Sequence, residues 1–342
     1  MTSAHEAWLA LTSEEAIDPA LPICDPHHHL WDQPGFVIQP RYFLEELLRD
    51  AGSGHNIVRT VFVECHAMYR RDGPPEMQPV GETEFVQGIA AQSASGQYGT
   101  TVVAAGIVSF ADLTLGDAVT PVLQAHAAAG AHRLAGIRHA SAHDPSPQIS
   151  SYRSPPKGLL LDDRFRAGFA QLHKHGLSFD AWLYHPQLPE LASLARAFPQ
   201  TTIVLDHIGG PLGIGPYAGR RDEVFRDWQA GIVELAACPN VVVKLGGLGM
   251  TVCGFGWRER DKPPSSVELA RACAPYYLFC IEQFGVERCM FESNFPVDKV
   301  SYSYNVMWNA FKRITAGFSA GERAALFHDT AARVYRLLRQ TR

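Results

Sequence analysis

The amino-acid sequence predicts an α/β fold built as one (β/α)8 barrel, also called a TIM barrel, and three observations support this. Eight short runs of β-branched and other apolar residues recur along the chain, and most precede a segment with helical periodicity. An open doubly wound sheet has about five to seven strands and a glycine-rich phosphate loop, and no G-x-G-x-x-G motif follows the first run. The 342 residues fit one barrel of about 250 residues with insertions.

The predicted strands are spread over the whole chain, so residues 21–342 are expected to form the barrel domain and residues 1–20 an N-terminal extension. In chain order, the predicted strands are residues 23–27, 60–65, 102–108, 134–139, 177–184, 202–207, 241–246 and 289–294. Asp162 and Gly176 are the residue types that begin and end helices, here around residues 163–175. Ser319 and Glu322 form a capping-box pattern before a helical run over residues 324–338.

Three long loops follow predicted strands four, six and seven. They are rich in proline, glycine and serine, and they comprise residues 140–158, 209–221 and 249–266. In a barrel such loops lie at the C-terminal mouth, where substrates bind. We therefore expect the substrate site at this end.

The composition favours a soluble cytoplasmic protein with a small-molecule partner. The chain is 46% hydrophobic and has no apolar run near the ~18 residues of a membrane helix, and its first twenty residues lack the pattern of a signal peptide. The net charge is -5 and basic residues do not cluster, which argues against nucleic-acid binding. The seven cysteines form no C-x-x-C pair, so neither a disulfide framework nor a thiolate zinc site is expected. The sequence leaves open whether the protein forms a homo-oligomer.

The strongest local signal is a histidine motif at the end of the first predicted strand. Asp25, His27 and His29 alternate with a period of two, which places their side chains on one face of the strand. Two neutral imidazoles from one strand can bind a divalent metal such as zinc. The alternative is a group of histidines that closes the strand end and forms only local hydrogen bonds.

Five segments together resemble a known family. They are Asp25-Pro-His-His-His-Leu-Trp-Asp32, Gly136-Ile-Arg-His139, Leu205-Asp-His-Ile-Gly-Gly-Pro211, Val243-Lys-Leu-Gly-Gly247 and Met290-Phe-Glu-Ser-Asn-Phe-Pro296. As an ordered set, they resemble the amidohydrolase-related branch of the amidohydrolase superfamily, which includes hydrolases of pyrone, sulfomuconate and sugar lactones. The resemblance implies a distorted TIM barrel that hydrolyses lactones or related esters and amides, sometimes with zinc and sometimes with no metal.

His207 and Arg138 are the next candidates, each at the end of a predicted strand. His207 precedes a Gly-Gly-Pro loop, and the resemblance implies that it faces the substrate, where an imidazole suits proton transfer or carbonyl polarisation. Asp206 is expected to point the other way and to anchor a loop. Arg138 can hold a substrate carboxylate through a bidentate fork. A structural ion pair is the alternative for Arg138.

The eighth predicted strand departs from the family pattern at Asn294, where lactonases of this family usually carry aspartate. Asparagine cannot be deprotonated and is a weak metal ligand, so the usual activation of water is in doubt. Glu292 lies two residues earlier on the same face and one layer deeper. We hypothesise that Glu292 supplies the missing carboxylate while Asn294 orients substrate or water. The alternative is a buried Glu292 paired with Lys244 or with an arginine.

These residues predict an enzyme that opens a lactone, ester or cyclic amide of a small, carboxylated substrate. His207, Glu292 and Asn294 are the predicted catalytic residues, and His27 and His29 are the predicted ligands of a divalent metal, with zinc expected and metal-free catalysis open. Arg138, Trp31, His185 and Lys299 are the predicted substrate contacts. Two alternatives are a non-oxidative decarboxylase on the same barrel and an inactive member that only binds a small molecule.

Overall fold

The computed structural model describes residues 4–35 and 39–337, and its centre is a sheet of eight parallel strands. The strands are β1 (Pro22–His28), β2 (Asn56–Val63), β3 (Val102–Ser109), β4 (Leu134–Arg138), β5 (Ser178–Ala181), β6 (Ile203–Leu205), β7 (Val241–Leu245) and β8 (Cys289–Phe291). Each strand pairs with the next one in the chain. A bridge between His28 and Phe295 joins the last strand to the first, so the predicted barrel is confirmed.

Helices surround the strands in the alternating order that a (β/α)8 barrel requires. They are α1 (Ala4–Leu9), α2 (Leu44–Ala51), α3 (Val80–Ala94), α4 (Thr120–Gly130), α5 (Asp163–Lys174), α6 (Leu188–Ala197), α7 (Arg221–Ala236), α8 (Ser266–Phe284), α9 (Tyr304–Ile314), α10 (Ala320–Ala324) and α11 (Thr330–Val334). Asp162 caps α5 by accepting a hydrogen bond from the Phe165 amide at 2.8 Å, as its sequence position predicts. Within residues 4–35 and 39–337, no helix combines the length and apolar character needed to cross a membrane.

The C-terminal part differs from the continuous helix predicted over residues 324–338. The capping box at Ser319 and Glu322 is present, but a π-helical turn at Ala325–Asp329 separates α10 from α11, which ends at Val334. Position 338 lies outside the described residues. Tyr335 then belongs to a buried apolar cluster to which β1 to β4 and β6 to β8 contribute side chains, so this segment adds to the core.

Six of the eight strands end earlier than predicted, and at β6 and β8 the difference positions the functional residues. β6 ends at Leu205 and β8 at Phe291, because His207, Ile208 and Asn294 adopt left-handed backbone conformations with φ of 55°, 51° and 54°. Such conformations are costly for residues other than glycine and occur often at functional sites. They turn the chain at the barrel mouth.

Candidate active site

A cavity of about 700 Å³ opens at the C-terminal ends of the strands. The predicted loops after β4 and β7 supply part of its wall, whereas the remaining predicted loop, residues 209–221, supplies none of the lining residues. Its aromatic lining residues are Trp31, Tyr152, Trp182 and Tyr184. His29, Arg138, His207 and Asn294 also line it, so the structure brings five of the predicted site residues, including Trp31, to one place.

Glu292 contacts both His27 and His207 at the centre of the site. Its Oε1 lies 2.6 Å from His207 Nδ1, and its Oε2 lies 2.8 Å from His27 Nδ1. The His207 amide donates to the same Oε1 at 3.0 Å. Burial raises the pKa of Glu292, but the nearby His207 and His27 lower it more, to about 2. Glu292 is therefore a carboxylate at neutral pH, and it pairs with histidines rather than with Lys244 or an arginine.

The contact with Glu292 fixes how His207 is oriented. A carboxylate only accepts hydrogen bonds, so His207 Nδ1 carries a hydrogen and Nε2 is the ring nitrogen not engaged by Glu292. Trp182 packs edge-on against the ring, with centroids 4.9 Å apart. Since His207 lines the cavity, it presents an imidazole held in one orientation to a ligand.

Lys244 lies in a fully buried charged group below the cavity. Its Nζ is 2.7 Å from Asp180 Oδ2, 3.0 Å from Asp206 Oδ1 and 3.1 Å from His27 Nδ1. Tyr335 donates to the same Asp180 oxygen at 2.7 Å. We call Asp180, Asp206, Lys244 and Tyr335 the deep layer. Burial and Lys244 lower the pKa of His27, so this ring stays neutral.

The prediction that Asp206 points away from the site was wrong. Because β6 ends at Leu205, Asp206 falls in the barrel interior, where it pairs with Lys244 and lies 3.5 Å from Arg138 Nη1. Asp180 was also left unassigned from the sequence. A lysine inside a predicted interior strand was the available signal, since a buried ammonium group requires carboxylate partners.

His29 and Asn294 face each other at the cavity wall. His29 Nδ1 donates to the Val63 carbonyl at 2.8 Å, and Asn294 Nδ2 donates to Asp298 Oδ1 at 2.8 Å. Burial keeps the pKa of His29 well below its usual value, so the ring is neutral and carries one hydrogen. Because this hydrogen is on Nδ1, Nε2 carries none. This Nε2 and Asn294 Oδ1 are therefore two acceptors that lie 3.3 Å apart.

Donor atoms suitable for a metal occur in two arrangements. His27, Asp206 and His207 offer atoms that all lie within 4.8 Å of one another, but the Lys244 ammonium already serves as a cation for His27 and Asp206. The two facing acceptors of His29 and Asn294 lack a hydrogen between them, which fits a cation bound at the cavity wall. The facing pair of His29 and Asn294 is therefore the arrangement better suited to a divalent metal.

Arg138 is held in the ion pair that the sequence offered as an alternative. Its Nε donates to Glu64 Oε1 at 2.8 Å, and its Nη2 donates to the Glu64 carbonyl. Its Nη1 has only long contacts, to His27 Nε2 at 3.4 Å and to Asp206. Arg138 therefore keeps one weakly engaged donor edge on the cavity.

Three predicted positions are placed differently from the expectation. Lys299 Nζ binds the Asp50 carboxylate at 2.8 Å and does not line the cavity. His185 accepts from the Leu212 amide at 3.3 Å and supports a loop. Asp25 does not join the histidines, because a register shift follows it in β1, and its carboxylate accepts from the Ser293 amide and the Tyr304 hydroxyl.

The closed parallel barrel and the cavity that gathers histidine, arginine and asparagine side chains at the C-terminal strand ends define a barrel enzyme. A family model described as amidohydrolase matches residues 24–337, so the chain belongs to the amidohydrolase family and is a hydrolase. This confirms the resemblance drawn from the sequence motifs.

Similar proteins agree with this assignment. Over 333 residues, the chain is 35% identical to uncharacterized protein y4mH of Sinorhizobium fredii, covering 92% of this chain and 98% of that protein. Over 182 residues it is 33% identical to L-fucono-1,5-lactonase of Burkholderia multivorans, covering 53% of this chain and 58% of that enzyme. A solved amidohydrolase from Burkholderia multivorans with bound zinc is 26% identical, with a TM-score of 0.69 and coverage of 92% of this chain and 99% of the other.

Proposed function

We propose that the protein is a lactonase that uses water to open the ring ester of a small sugar-type lactone. The observation that carries this proposal is the pairing of His207 with the buried Glu292 carboxylate, 2.6 Å apart, beside the cavity. The similarity to L-fucono-1,5-lactonase supports the choice of a lactone.

His207 acts as the general base. Its Nε2 takes a proton from the water that attacks the lactone carbonyl, and it returns this proton to the ring oxygen when the ester C–O bond breaks. The product is an open-chain hydroxy acid. Glu292 stays ionised, since its pKa is about 2, and it stabilises the imidazolium that forms on His207. Glu292 thus takes over the carboxylate role that Asn294 cannot perform.

Arg138 stabilises the negative charge that develops on the carbonyl oxygen. Glu64 holds its guanidinium in place, and its Nη1 keeps only long protein contacts of 3.4 and 3.5 Å. A donor held in a fixed position at the cavity favours the charge of the transition state over that of the substrate.

A divalent metal is the second component of the proposal. His27 Nε2, His29 Nε2 and Asn294 Oδ1 would hold it, and zinc there would polarise the carbonyl and lower the pKa of a bound water. The zinc in the 26% identical amidohydrolase supports this choice of ion. Two nitrogens and a neutral oxygen hold zinc less tightly than a ligand set that includes a carboxylate, so we expect the protein to bind zinc weakly.

The test is hydrolysis of aldono-1,5-lactones, measured as acid release at constant pH and corrected for the spontaneous reaction. The wild type should accelerate hydrolysis, and His207→Ala should remove most of this activity. His185→Gln is the matched control, since His185 is buried near the mouth but does not line the cavity. No acceleration with any lactone would refute the proposal, and release of carbon dioxide from an aromatic acid would instead support the decarboxylase alternative.

Elemental analysis of the purified protein, with activity measured before and after dialysis against a chelator, tests the metal. We expect bound zinc, lower activity after chelation and recovery when zinc is added. Full activity in a metal-free sample would refute the metal and leave His207 and Arg138 as the catalytic groups.

A further inference from the structure

Two guanidinium groups converge on one buried carboxylate at the barrel mouth. Arg138 Nε donates to Glu64 Oε1 at 2.8 Å, and Arg153 Nη2 donates to Glu64 Oε2 at 2.9 Å. The Tyr152 hydroxyl donates to the same Oε2 at 3.0 Å. The Glu64 side chain is fully buried. This is the set of donors that a protein uses to recognise the carboxylate of a ligand, but here a side chain of the protein fills it.

The loop after β4 is bent to reach Glu64. Arg153 and Ser154 have left-handed φ values of 64° and 45°, a conformation that is unfavourable for residues other than glycine. The Arg153 guanidinium also lies 3.8 Å from the centre of the Phe110 ring and donates to the Tyr69 hydroxyl. These contacts compensate for the backbone strain and close the cluster around Glu64.

The cavity therefore has little uncompensated positive charge. Arg138 and Arg258 are the charged residues among the described residues that line it. The Arg258 side chain is 47% exposed and lies 3.9 Å from Glu259, so water and that carboxylate weaken its field. Arg138 lies against two buried carboxylates, Glu64 at 2.8 Å and Asp206 at 3.5 Å, which together offset its charge. A ligand carboxylate placed beside Arg138 would lie close to Glu64 and would lose its hydration without gaining a free counter-charge.

We infer that Glu64 determines substrate specificity, because it acts as an internal carboxylate that occupies Arg138 and Arg153. The site then accepts uncharged lactones and rejects lactones that carry a carboxylate. This inference rests on the proposed lactonase function, and it replaces the sequence-based expectation of a carboxylated substrate. An uncharged carbonyl oxygen still finds the free edge of Arg138 Nη1, so the proposed chemistry is retained.

The first experiment compares two lactones that differ at one carbon. A hexono-1,5-lactone ends in a hydroxymethyl group, and the hexaro-1,5-lactone of the same configuration ends in a carboxylate. For the wild type we expect kcat/KM to be about 100-fold higher for the hexono-lactone, since an unpaired buried charge costs several kcal/mol. In Glu64→Ala this ratio should fall at least about tenfold, because Arg138 and Arg153 become free to bind the carboxylate.

The second experiment tests the vacated position without an activity assay. Acetate should raise the thermal midpoint of Glu64→Ala and leave that of the wild type unchanged, because it fills the gap between the two guanidiniums. Acetamide is the matched control, with the same size and no charge, and it should stabilise neither protein. Stabilisation by both molecules, or by neither, would refute the role of Glu64 as an internal carboxylate.

The outcomes separate this inference from the proposed function. Equal hydrolysis of both lactones by the wild type would refute the specificity role and leave the lactonase function intact. Failure to hydrolyse any lactone would refute the function, and with it the specificity role, while the acetate result would still decide whether Glu64 fills a carboxylate site. If Glu64→Ala does not fold, Arg153→Met is measured instead. In this variant Glu64 still pairs with Arg138, so the preference for the hexono-lactone should persist. Loss of that preference would refute the inference.

Discussion

The charged groups of the deep layer are paired with each other, whereas polar atoms of the cavity wall above it are not. In the deep layer, Lys244 lies within 3.0 Å of carboxylate oxygens of both Asp180 and Asp206. At the wall, His29 Nε2 and Asn294 Oδ1 face each other as two acceptors. Ion pairs whose charges are already balanced stabilise the fold, whereas lone pairs without a hydrogen-bond donor are available to a ligand. The comparison assigns stability to the lower layer and chemistry to the upper one.

The largest expected effect is on the chemistry at the wall. Glu292→Gln removes the negative charge that orients and stabilises His207, so kcat should fall by about 1000-fold with a small change in KM. Circular dichroism checks that the variant is folded. A variant with nearly full kcat would show that Glu292 is only structural and would break the division between the layers.

Lys244→Met tests the deep layer and should affect stability first. Removing one partner leaves Asp180 and Asp206 buried without their cation, so the free energy of unfolding should fall by about 3 kcal/mol. Urea denaturation measures this. Arg260→Met is the control, because its pair with Glu268 is exposed, and it should cost less than about 1 kcal/mol. Equal losses in both variants would contradict the special status of the deep layer.

Asp25 shows what burial does to a carboxyl group that has hydrogen bonds but no nearby cation. Burial raises its pKa to about 6, although the Ser293 amide lowers it in part. The folded pKa is higher than the unfolded value near 3.8, so the folded state binds more protons between pH 4 and 6 and loses stability as pH rises through this range. Compared with Asp25→Asn, the wild type should lose about 2 kcal/mol between pH 4 and pH 6.5 in urea titrations. A constant difference between the two proteins would contradict the assignment.

Asn294→Asp gives the smallest expected effect and sharpens the account of the wall. A carboxylate is a better zinc ligand than an amide oxygen, so zinc affinity should rise about tenfold in a competition titration with a fluorescent chelator. Asn294→Ala should lower the affinity. Unchanged affinity in both variants would mean that Asn294 is not a ligand.

Much of the fold followed from sequence patterns, and the reason is physical. Buried parallel strands are nearly continuous apolar runs, so all eight were located within a few residues. His27, His207 and Glu292 were brought together because the C-terminal ends of all the strands meet at one mouth. The assignment of Asp206 failed because strand alternation was extended past Leu205, where the backbone leaves the β conformation.

Contacts between distant segments could not be read from the sequence in the same way. Arg138 and Glu64 are 74 positions apart, and their pairing depends on where β2 and β4, which lie on either side of β3, end relative to each other. Lys299 follows β8 in a short 3₁₀ turn at Asp298–Val300, so its direction is set by that turn and not by strand alternation. Its partner Asp50 belongs to α2, which no site motif includes.

The position of Tyr335 has a consequence for how the protein matures. Tyr335 follows every strand of the barrel in the chain, but its hydroxyl reaches Asp180 inside the barrel. During translation, all eight strands leave the ribosome before the residue that completes the deep layer. A nascent barrel can therefore close while the charges beneath its future active site still lack one neutral hydrogen-bond donor. Catalytic competence should thus appear later in synthesis than the fold itself.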